Sequence, residues 1–390
     1  MLRVSICADI WKYGDFDLIS CLRSGNPESA QARGVSCVRM TKRPTIKDVA
    51  TKAGVSVATV SFVLNNTSGQ PIGRAVRDRV QKAAQSLNYH PNASAAHLAR
   101  RRTRHVAILL YEEEFLLSNT FYSRVIEGAL KHALAREYHL LFSYLKEDYK
   151  GRTDLPIVIT QQNTEGVLFI KRLIPEMVAD IASMGLPIVA IDHFVPSPWV
   201  SSVSMENRRG GTLAAEHLRE LGHKHVAILA GGLERPSISE RVKGFSDALR
   251  NSGMCEHRRQ PIWKSSALTF EAGYAAAIKG FRKDPQITGL FCVNDEMAAG
   301  AIRAAHQLGY RVPAQLSVIG FDDIDMARYI DPPLTTIGVD KLELGRLAMT
   351  QLIDHIEGST KGVTEQRVDV QLIVRGSTGP RTKRGVRSVA

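Results

Sequence analysis

The sequence lacks any run of apolar residues long enough to cross a membrane. A membrane-spanning helix needs about 20 consecutive apolar residues, and no stretch of the 390-residue chain approaches that length. The opening residues, MLRVSICADIWKYGDF, are interrupted early by charge and contain no signal-peptide core. We therefore expect a protein of the cytoplasm, associated with the nucleoid if it binds DNA, and no membrane partner.

Patterns typical of metal sites, disulfide frameworks and enzymes are also missing. The five cysteines are odd in number and fit no zinc spacing. Four histidines lack the spacing of metal ligands: His217, His223, His225 and His257. The AGG at 230–232 is not followed by the remaining residues of a phosphate-binding loop, and no nucleophile–base arrangement appears. The sequence thus predicts no metal, no cofactor and no enzymatic activity.

Positive charge is abundant but unevenly distributed. The net charge is +12, and twelve Lys or Arg residues lie between Thr41 and His105 against two acidic ones. The remainder is close to neutral apart from a basic tail at 379–390. A compact basic module on a near-neutral body is the electrostatic footprint of a nucleic-acid binder. A solvated basic surface is the alternative.

Three short helical patterns occupy the basic segment. Thr45 can cap a first helix that ends at Ala53, and Gly54 permits a tight turn before a second helix capped by Ser56. A third pattern covers roughly 74–87. Three short helices with a glycine turn predict a helix-turn-helix module over residues 42–90. Residues 1–39 show little sign of a core, and we expect an extension or a start assigned upstream of Met40.

The second helix, in GVSVATVSFVLNN, has an unusual outer face. Val60, Val63 and Leu64 can face a core. The opposite face then carries Val57, Ala58, Ser61 and Phe62. A recognition helix presents its outer face to base edges in the major groove, where apolar side chains can touch thymine methyl groups. An ordinary amphipathic helix with an exposed Phe is the alternative.

From Val106 onward, short apolar runs alternate with helical stretches. The runs are VAILL, LLFSY, GVLFI, PIVAID, HVAILAG, GLFCVND and SVIGFDD. This alternation predicts βαβ units, parallel sheets and enough chain for two lobes. Ligands of parallel sheets bind outside the carboxyl ends of the strands, which selects Asp192, Asn294 and Asp322. For Asp322 and Asp295 the alternative is loop capping at strand ends.

Several blocks of the chain resemble the LacI/GalR family of bacterial repressors. TIKDVATKAGVSVATVSFVLNN and LNYHPNASAAHLAR resemble its headpiece and hinge. SERVKGF, VNDEMAAGAI, GFDDIDMARYIDPPLTTI and LIVRGST follow in the family's order as far as Thr378. The resemblance implies an N-terminal three-helix helix-turn-helix headpiece with a hinge helix, then a two-lobed α/β periplasmic-binding-protein-like (type I) domain with parallel sheets. The implied segments are a hinge and linker at 91–104, a sensor at 105–378, an N-lobe at about 105–204 and 339–366, and a C-lobe at about 205–338 and 367–378.

The resemblance also implies roles for individual residues. Val57, Ala58 and Phe62 stand where the family reads bases, and Leu98 stands where a leucine wedges into the minor groove and kinks the DNA. Further DNA contacts are implied for Thr45, Ser56, Thr59, Ser61, Asn65, Asn92, His97 and Arg100. The effector-binding residues are Asp192, Asn294 and Asp322 from the strand-end rule, with Phe121, Tyr122 and Arg241 added by the resemblance.

Two departures from the family matter. Phe62 stands where relatives often have Arg, His or Tyr, so the operator sequence does not carry over. Gly73 and Arg74 stand where relatives often have a Ser cap followed by acids. We therefore expect a weakly capped third helix that adds positive charge near the DNA.

Together these features predict a transcriptional regulator, most simply a repressor. Two copies would set two headpieces on a near-palindromic double-stranded operator, and a small effector, most simply a sugar, would close the lobes. A sugar-binding transport component and a sugar-modifying enzyme are the rival functions, and a purine or phosphorylated metabolite is the rival ligand. The effector could be an inducer or a corepressor. We expect a dimer rather than a tetramer, since the residues after Thr378 show a short basic run, RTKRGVR, and no long heptad pattern.

Overall fold

The structure, a computed structural model, describes residues 44–65, 71–90, 102–111, 119–145, 148–170, 173–192, 197–252 and 260–381. The contacts divide the chain into two units, 1–100 and 101–390. Several sequence-based predictions lie outside the described residues. They are the 1–39 extension, the start at Met40, most of the basic tail, and the hinge residues Asn92, His97, Leu98 and Arg100.

The described part of the first unit contains three helices, α1 (Ile46–Ala53), α2 (Val57–Leu64) and α3 (Arg74–Ser86). Thr45 and Asp48 form a reciprocal capping box at the start of α1. Gly54 ends α1 in the left-handed conformation, with φ of 64°, which a glycine adopts without a steric penalty. Ser56 accepts a hydrogen bond from the backbone N–H of Thr59 and so begins α2. The predicted helix-turn-helix arrangement is confirmed.

The core of this unit is built from small side chains. Its buried members are Val49, Ala50, Ala53, Val60, Val63, Val80, Ala83 and Ala84. Small residues allow three short helices to approach closely and bury apolar surface that none of them could bury alone. Gly73 is the N-cap residue of α3 and supplies no side-chain hydrogen bond, as expected.

The second unit contains two six-stranded sheets. The strands of the first sheet are β1 (His105–Tyr111), β2 (His139–Leu145), β3 (Gly166–Ile170), β4 (Ile188–Ile191), β5 (Val200–Met205) and β11 (Glu365–Val368). Those of the second are β6 (Val226–Ala230), β7 (Ile262–Lys264), β8 (Gly289–Cys292), β9 (Ser317–Asp322), β10 (Thr335–Val339) and β12 (Val370–Ile373). Their orders, β11-β5-β4-β3-β1-β2 and β12-β10-β9-β8-β6-β7, are equivalent. All pairings are parallel except β10 with β12.

Helices cover both sheets. In chain order they are α4 (Thr120–Ala135), α5 (Ile157–Thr160), α6 (Pro175–Ser183), α7 (Asn207–Glu220), α8 (Pro236–Asn251), α9 (Phe270–Lys283), α10 (Asp295–Gln307) and α11 (Lys341–Ile356). Along β1, Val106 and Ile108 pack into one hydrophobic cluster and Ala107 and Leu109 into another. This division explains why the strands are continuous apolar runs, since both faces of a parallel sheet are buried. None of the described helices is long and apolar enough to cross a membrane.

The chain crosses between the sheets three times, at Glu206, Asp340 and Asp369. The predicted boundaries, after about residues 204, 338 and 366, lie two or three residues before these crossings. The pairing of β11 with β5 continues to Val368 opposite Met205, directly before the third crossing. The first sheet with α4, α5, α6 and α11 is called the first lobe here, and the second sheet with α7 to α10 the second lobe.

Five of the strands contain no apolar run that the sequence analysis identified. They are β5, β7, β10, β11 and β12. In β5, VSSVSM, three of the six residues are serines although every position is buried. Backbone pairing to neighbouring strands, rather than hydrophobicity alone, keeps such a segment extended.

Candidate functional site

The outer face of α2 is the first candidate surface. Val60 and Val63 are buried, whereas Val57 is 40 % exposed and Ala58 is exposed. Ser61 and Phe62 are partly buried, so Phe62 projects less freely than its position in the pattern indicated. An exposed, uncharged helix face beside a basic surface suits close approach to DNA.

The other predicted DNA-binding residues of this unit also stabilise helix ends. Thr45 Oγ1 donates to Asp48 Oδ2 at 2.8 Å, Ser56 and Thr59 share a 2.9 Å hydroxyl contact, and Asn65 Nδ2 donates to Ser61 Oγ at 3.2 Å. Described basic residues of the unit outnumber Asp48 and Asp78. They are Lys47, Lys52, Arg74, Arg77, Arg79 and Lys82.

The second candidate site lies in the second unit, where the carboxyl ends of the two sheets face each other. Tyr122, in the first turn of α4, donates from its hydroxyl to Asp192 Oδ2 at 2.9 Å, and Asp192 directly follows β4. From the second lobe, Arg241 Nη1 lies 3.1 Å from Asp322 Oδ1 at the end of β9. Asn119 joins the lobes directly, because its Nδ2 donates to Glu296 Oε1 at 3.2 Å.

The guanidinium of Arg241 is almost completely enclosed, with a side chain only 4 % exposed. Its Nε donates to Asn207 Oδ1 at 2.8 Å and its Nη1 to the carbonyl oxygen of Val293 at 2.6 Å. The guanidinium also lies 3.6 Å from the centroid of the Phe321 ring. A buried guanidinium needs such a set of partners because desolvation of an unpaired charge is costly.

Asp322 and Tyr122 are ionisable groups of the site with shifted pKa values. Burial raises the pKa of Asp322 to about 6, although Arg241 opposes the shift; Asp192 raises this pKa further and Lys341 lowers it. Burial and the neighbouring Asp192 hold the pKa of Tyr122 well above its ordinary value. Tyr122 is therefore a hydrogen-bond donor at neutral pH, while Asp322 changes charge in a range accessible to the cell.

Asn294 and Asp295 have structural tasks at this site. Asn294 caps α10 by accepting from the N–H of Met297 at 3.0 Å, and its amide donates to the Leu268 carbonyl. Asp295 is fully buried and accepts from Thr336 Oγ1 at 2.5 Å and from the N–H of Ile324 at 2.9 Å. These contacts support loop capping, the alternative given above for Asp295.

The remaining predicted residue, Phe121, packs edge-on against Tyr122 with ring centroids 4.9 Å apart. Lys341 Nζ lies 6.0 Å from the Phe121 ring centroid. All six predicted effector-binding residues thus border one region, but their proposed contacts with an effector remain predictions.

Sequence reasoning missed four polar residues of this region, namely Asn119, Asn207, Glu296 and Lys341. Asn207 and Lys341 follow β5 and β10, two strands without a recognised apolar run. The strand-end rule would have selected both if those strands had been recognised. Asn119 precedes a helix, and its position as an N-cap was the available signal.

The arrangement offers hydrogen-bond acceptors on both lobes and donors from Tyr122 and Arg241. Such a set can bind several hydroxyl groups of one ligand, while Phe121 and Tyr122 supply apolar surface. Within the described ranges, no group of three or more His, Cys, Asp or Glu side chains could hold a metal ion.

Comparison with known proteins identifies matches to both units. Residues 45–92 match bacterial regulatory proteins of the lacI family, and residues 215–378 match a periplasmic binding protein-like domain. The HTH-type transcriptional repressor CytR of Escherichia coli (strain K12) is 34 % identical over 336 residues, which are 86 % of this chain and 96 % of that protein.

Solved structures agree with these matches. A lac repressor dimer bound to operator and the anti-inducer ONPF superposes with a TM-score of 0.74 and 27 % identity, covering 87 % of this chain and all of that one. A complex of the transcriptional regulator CelR with cellobiose gives a TM-score of 0.63 and 27 % identity, covering 86 % of this chain and all of that one.

The pKa of Asp322 leads to a pH-dependent difference in stability. Because the folded-state pKa, about 6, exceeds the ordinary value of 3.8, the folded protein retains a proton that the unfolded chain has lost between these pH values. Stability from this group therefore falls as pH rises from about 4 to about 6, by about 3 kcal/mol. Asp322→Asn removes the titration, so we expect its unfolding free energy to improve relative to wild type over this range.

Denaturant unfolding at pH 4, 5, 6 and 7, followed by circular dichroism, measures this difference. Asp180→Asn is the matched control. Hydrogen bonds from Tyr149 and Arg152 lower the pKa of Asp180 below its ordinary value of 3.8, so this group is ionised in the folded and the unfolded chain above pH 5. The difference between that variant and wild type should therefore stay nearly constant from pH 5 to 7. A pH-independent difference between wild type and Asp322→Asn would contradict the assignment.

Proposed function

The chain belongs to the lacI family of bacterial regulatory proteins, and we propose that it is a repressor that binds a near-palindromic operator as a homodimer under effector control. Its general function, DNA-binding transcriptional regulation, follows from the family. The similar protein CytR is a transcriptional repressor. As a DNA-binding protein it would act in the cytoplasm, on the nucleoid.

The observation that carries the DNA-binding proposal is the outer face of α2. Val57 and Ala58 are exposed on a helix whose core side is closed by Val60 and Val63. This uncharged face can enter a major groove and contact thymine methyl groups. Basic side chains on α1 and α3 are suited to phosphate contacts, which position the helix and make affinity depend on salt.

The effector is proposed to be a neutral polyhydroxyl molecule, a sugar or sugar derivative, bound between the lobes. Asp192 and Asp322 supply carboxylate acceptors from opposite lobes, and Tyr122 and Arg241 supply donors. A ligand with adjacent hydroxyl groups can bridge these side chains and hold the lobes together. The similarity to a regulator solved with cellobiose supports this ligand class.

The effector would control DNA binding by shifting the relative position of the lobes. Arg241 contacts Asn207 beside the first crossing, and Lys341 begins the helix after the second. A ligand that binds one lobe arrangement more tightly than the other increases the population of that arrangement. The coupling free energy between effector binding and DNA binding is ~1–3 kcal/mol in typical cases. This shift in lobe arrangement can be produced by an inducer or by a corepressor.

The dimer is supported by exposed apolar side chains along one edge of each sheet. Phe142 and Tyr144 on β2 are 45 % and 55 % exposed, and Ile262 on β7 is 39 % exposed. Because β11 continues into β12 at the opposite edge, β2 and β7 are the edges farthest from the crossings in their sheets. A second copy that covers both edges would remove this apolar surface from water.

The DNA proposal is tested by selecting fragments of the source genome with the full-length protein at near-physiological salt and sequencing those that bind. We expect a near-palindromic site. On that site, Val57→Ser should weaken binding roughly tenfold, the loss of one base contact of ~1–3 kcal/mol, without changing affinity for unrelated DNA. Gln85→Ala, an exposed change on α3, is the control. Failure to enrich any site, with or without added metabolite extract, would refute the proposal.

The dimer proposal is tested by sedimentation equilibrium. We expect the mass of two protomers for the wild type and of one for Phe142→Asp, since a charge buried at the interface would lack a partner. Ile157→Asp, at a side chain 64 % exposed on helix α5, should leave the mass unchanged. A wild-type mass of one or four protomers would be inconsistent with the proposal.

The effector proposal is tested by calorimetric titration with ribose, cellobiose, a purine nucleoside and a sugar phosphate. We expect a neutral sugar or sugar derivative to bind and to change operator affinity. Asp192→Asn should weaken that ligand roughly tenfold, because a charged acceptor is lost. Asp180→Asn is the matched control, since Asp180 also accepts from a tyrosine hydroxyl, that of Tyr149, away from the site. Binding of only the sugar phosphate would overturn the neutral-ligand assignment.

A further inference from the structure

Lys341 makes an unusual pair of contacts. It is the first residue of α11, directly after the second crossing between the lobes. Its Nζ donates to the carbonyl oxygens of Asp322 and Asp323, at 2.7 and 2.9 Å. A charged amine that binds two consecutive backbone carbonyls fixes the conformation of the turn that contains them.

The backbone of that turn is strained. Asp322 and Asp323 have φ values of 108° and 50°, in the region that residues with a Cβ rarely adopt. Such backbone conformations cost on the order of 1–3 kcal/mol each and persist only where the surroundings hold them. The turn carries the carboxylate of Asp322 into the site between the lobes, so its conformation decides where that carboxylate points.

The other described supports of the turn come from the second lobe. Asp295 accepts from the N–H of Ile324, Arg375 pairs with the Asp323 carboxylate at 2.5 Å, and Arg241 pairs with the Asp322 carboxylate. These contacts move together with the turn when the lobes move.

Lys341 differs because its helix packs against the first lobe. At the crossing of α11 with α4, Gly128 and Gly345 leave no room for a side chain against the backbone of the other helix. Such close packing makes α4 and α11 one rigid layer. Phe121, Tyr122 and Lys341 therefore move as one body, while Asp322 moves with the other.

We propose that Lys341 is a positioning residue that presents Asp322 to the effector only while the lobes are held together. Closing the lobes brings the amine to the turn and holds the strained conformation. Opening them withdraws the amine and lets the turn relax. The part of this inference that concerns the effector rests on the proposed function. The contact between the Lys341 amine and the turn, called the tether below, can be tested without a ligand.

The charge of Lys341 has a second consequence at Asp322. The groups that face this carboxyl from the surrounding elements are Tyr122, Asp192, Arg241, Asp295, Asp323 and Lys341. Burial and Asp192 raise the pKa of Asp322, and Arg241 and Lys341 lower it. Loss of Lys341 should therefore raise this pKa, so that Asp322 becomes a neutral, weaker acceptor at a higher pH than in the wild type.

The ligand-free test is hydrogen exchange by mass spectrometry on the full-length protein. In Lys341→Met we expect roughly tenfold faster exchange in peptides that cover Ile324 and the Asp325–Arg328 turn, because opening of the turn becomes easier. Lys361→Met, which removes an exposed lysine elsewhere, should exchange like the wild type. If circular dichroism shows that Lys341→Met does not fold, Lys341→Gln takes its place.

The second test measures the pKa of Asp322 by carbon-13 NMR of protein labelled at the aspartate side-chain carboxyls, with Asp322→Asn assigning the signal. Lys341→Met should raise this pKa, and Lys341→Arg should restore the wild-type value. With the sugar found by calorimetry, the pH below which binding weakens should shift upward in Lys341→Met in the same way.

The outcomes separate the two proposals. Exchange in Lys341→Met that equals wild type, or that is faster evenly over the whole second lobe, would overturn the positioning role, as would an unchanged pKa of Asp322. If no sugar binds but the exchange and the pKa change as expected, the effector proposal fails and the tether stands.

Discussion

The buried guanidinium of Arg241 is the constraint on which the site between the lobes depends. A cation removed from water must find acceptors within the fold, or it costs several kcal/mol. Its partners come from separate segments of the second lobe: Asn207 beside the first crossing, the Val293 carbonyl after β8, and Asp322 at the end of β9. A rearrangement of any of these segments disturbs the charge balance of the others. The guanidinium therefore fixes the geometry of the second lobe's side of the site.

The equivalent strand orders of the two sheets provide the frame for this site. Three crossings connect the lobes, and the carboxyl ends of the parallel strands face each other near them. The same geometry brings the N-termini of α4, α10 and α11 to the site, where Asn119, Asn294 and Asp340 cap them. The positive ends of these helix dipoles favour the negative charges of Asp192 and Asp322. Two aspartates can therefore lie near each other in a largely buried location.

The strand-end rule selected residues of this region where strands are apolar throughout. It selected Asp192 and Asp322, which follow runs buried on both faces. It also selected Asn294, whose side chain caps α10 and holds the Leu268 carbonyl. The rule did not select Asn207 and Lys341, because the serines of β5 and the initial threonines of β10 interrupt the apolar signal. Their positions depend on backbone pairing to strands far away in the sequence.

The sequence by itself determined the helix-turn-helix pattern with its caps at Thr45 and Ser56, the alternation of strands and helices, and the family. These features depend on local spacing, on side-chain chemistry and on motifs in a recognisable order. Only the tertiary structure decided that Asn119 meets Glu296, that Lys341 binds the Asp322–Asp323 turn, and that burial raises the pKa of Asp322 to about 6. Each of these depends on residues distant in the chain being brought together, and on the loss of water around them, which no local pattern records.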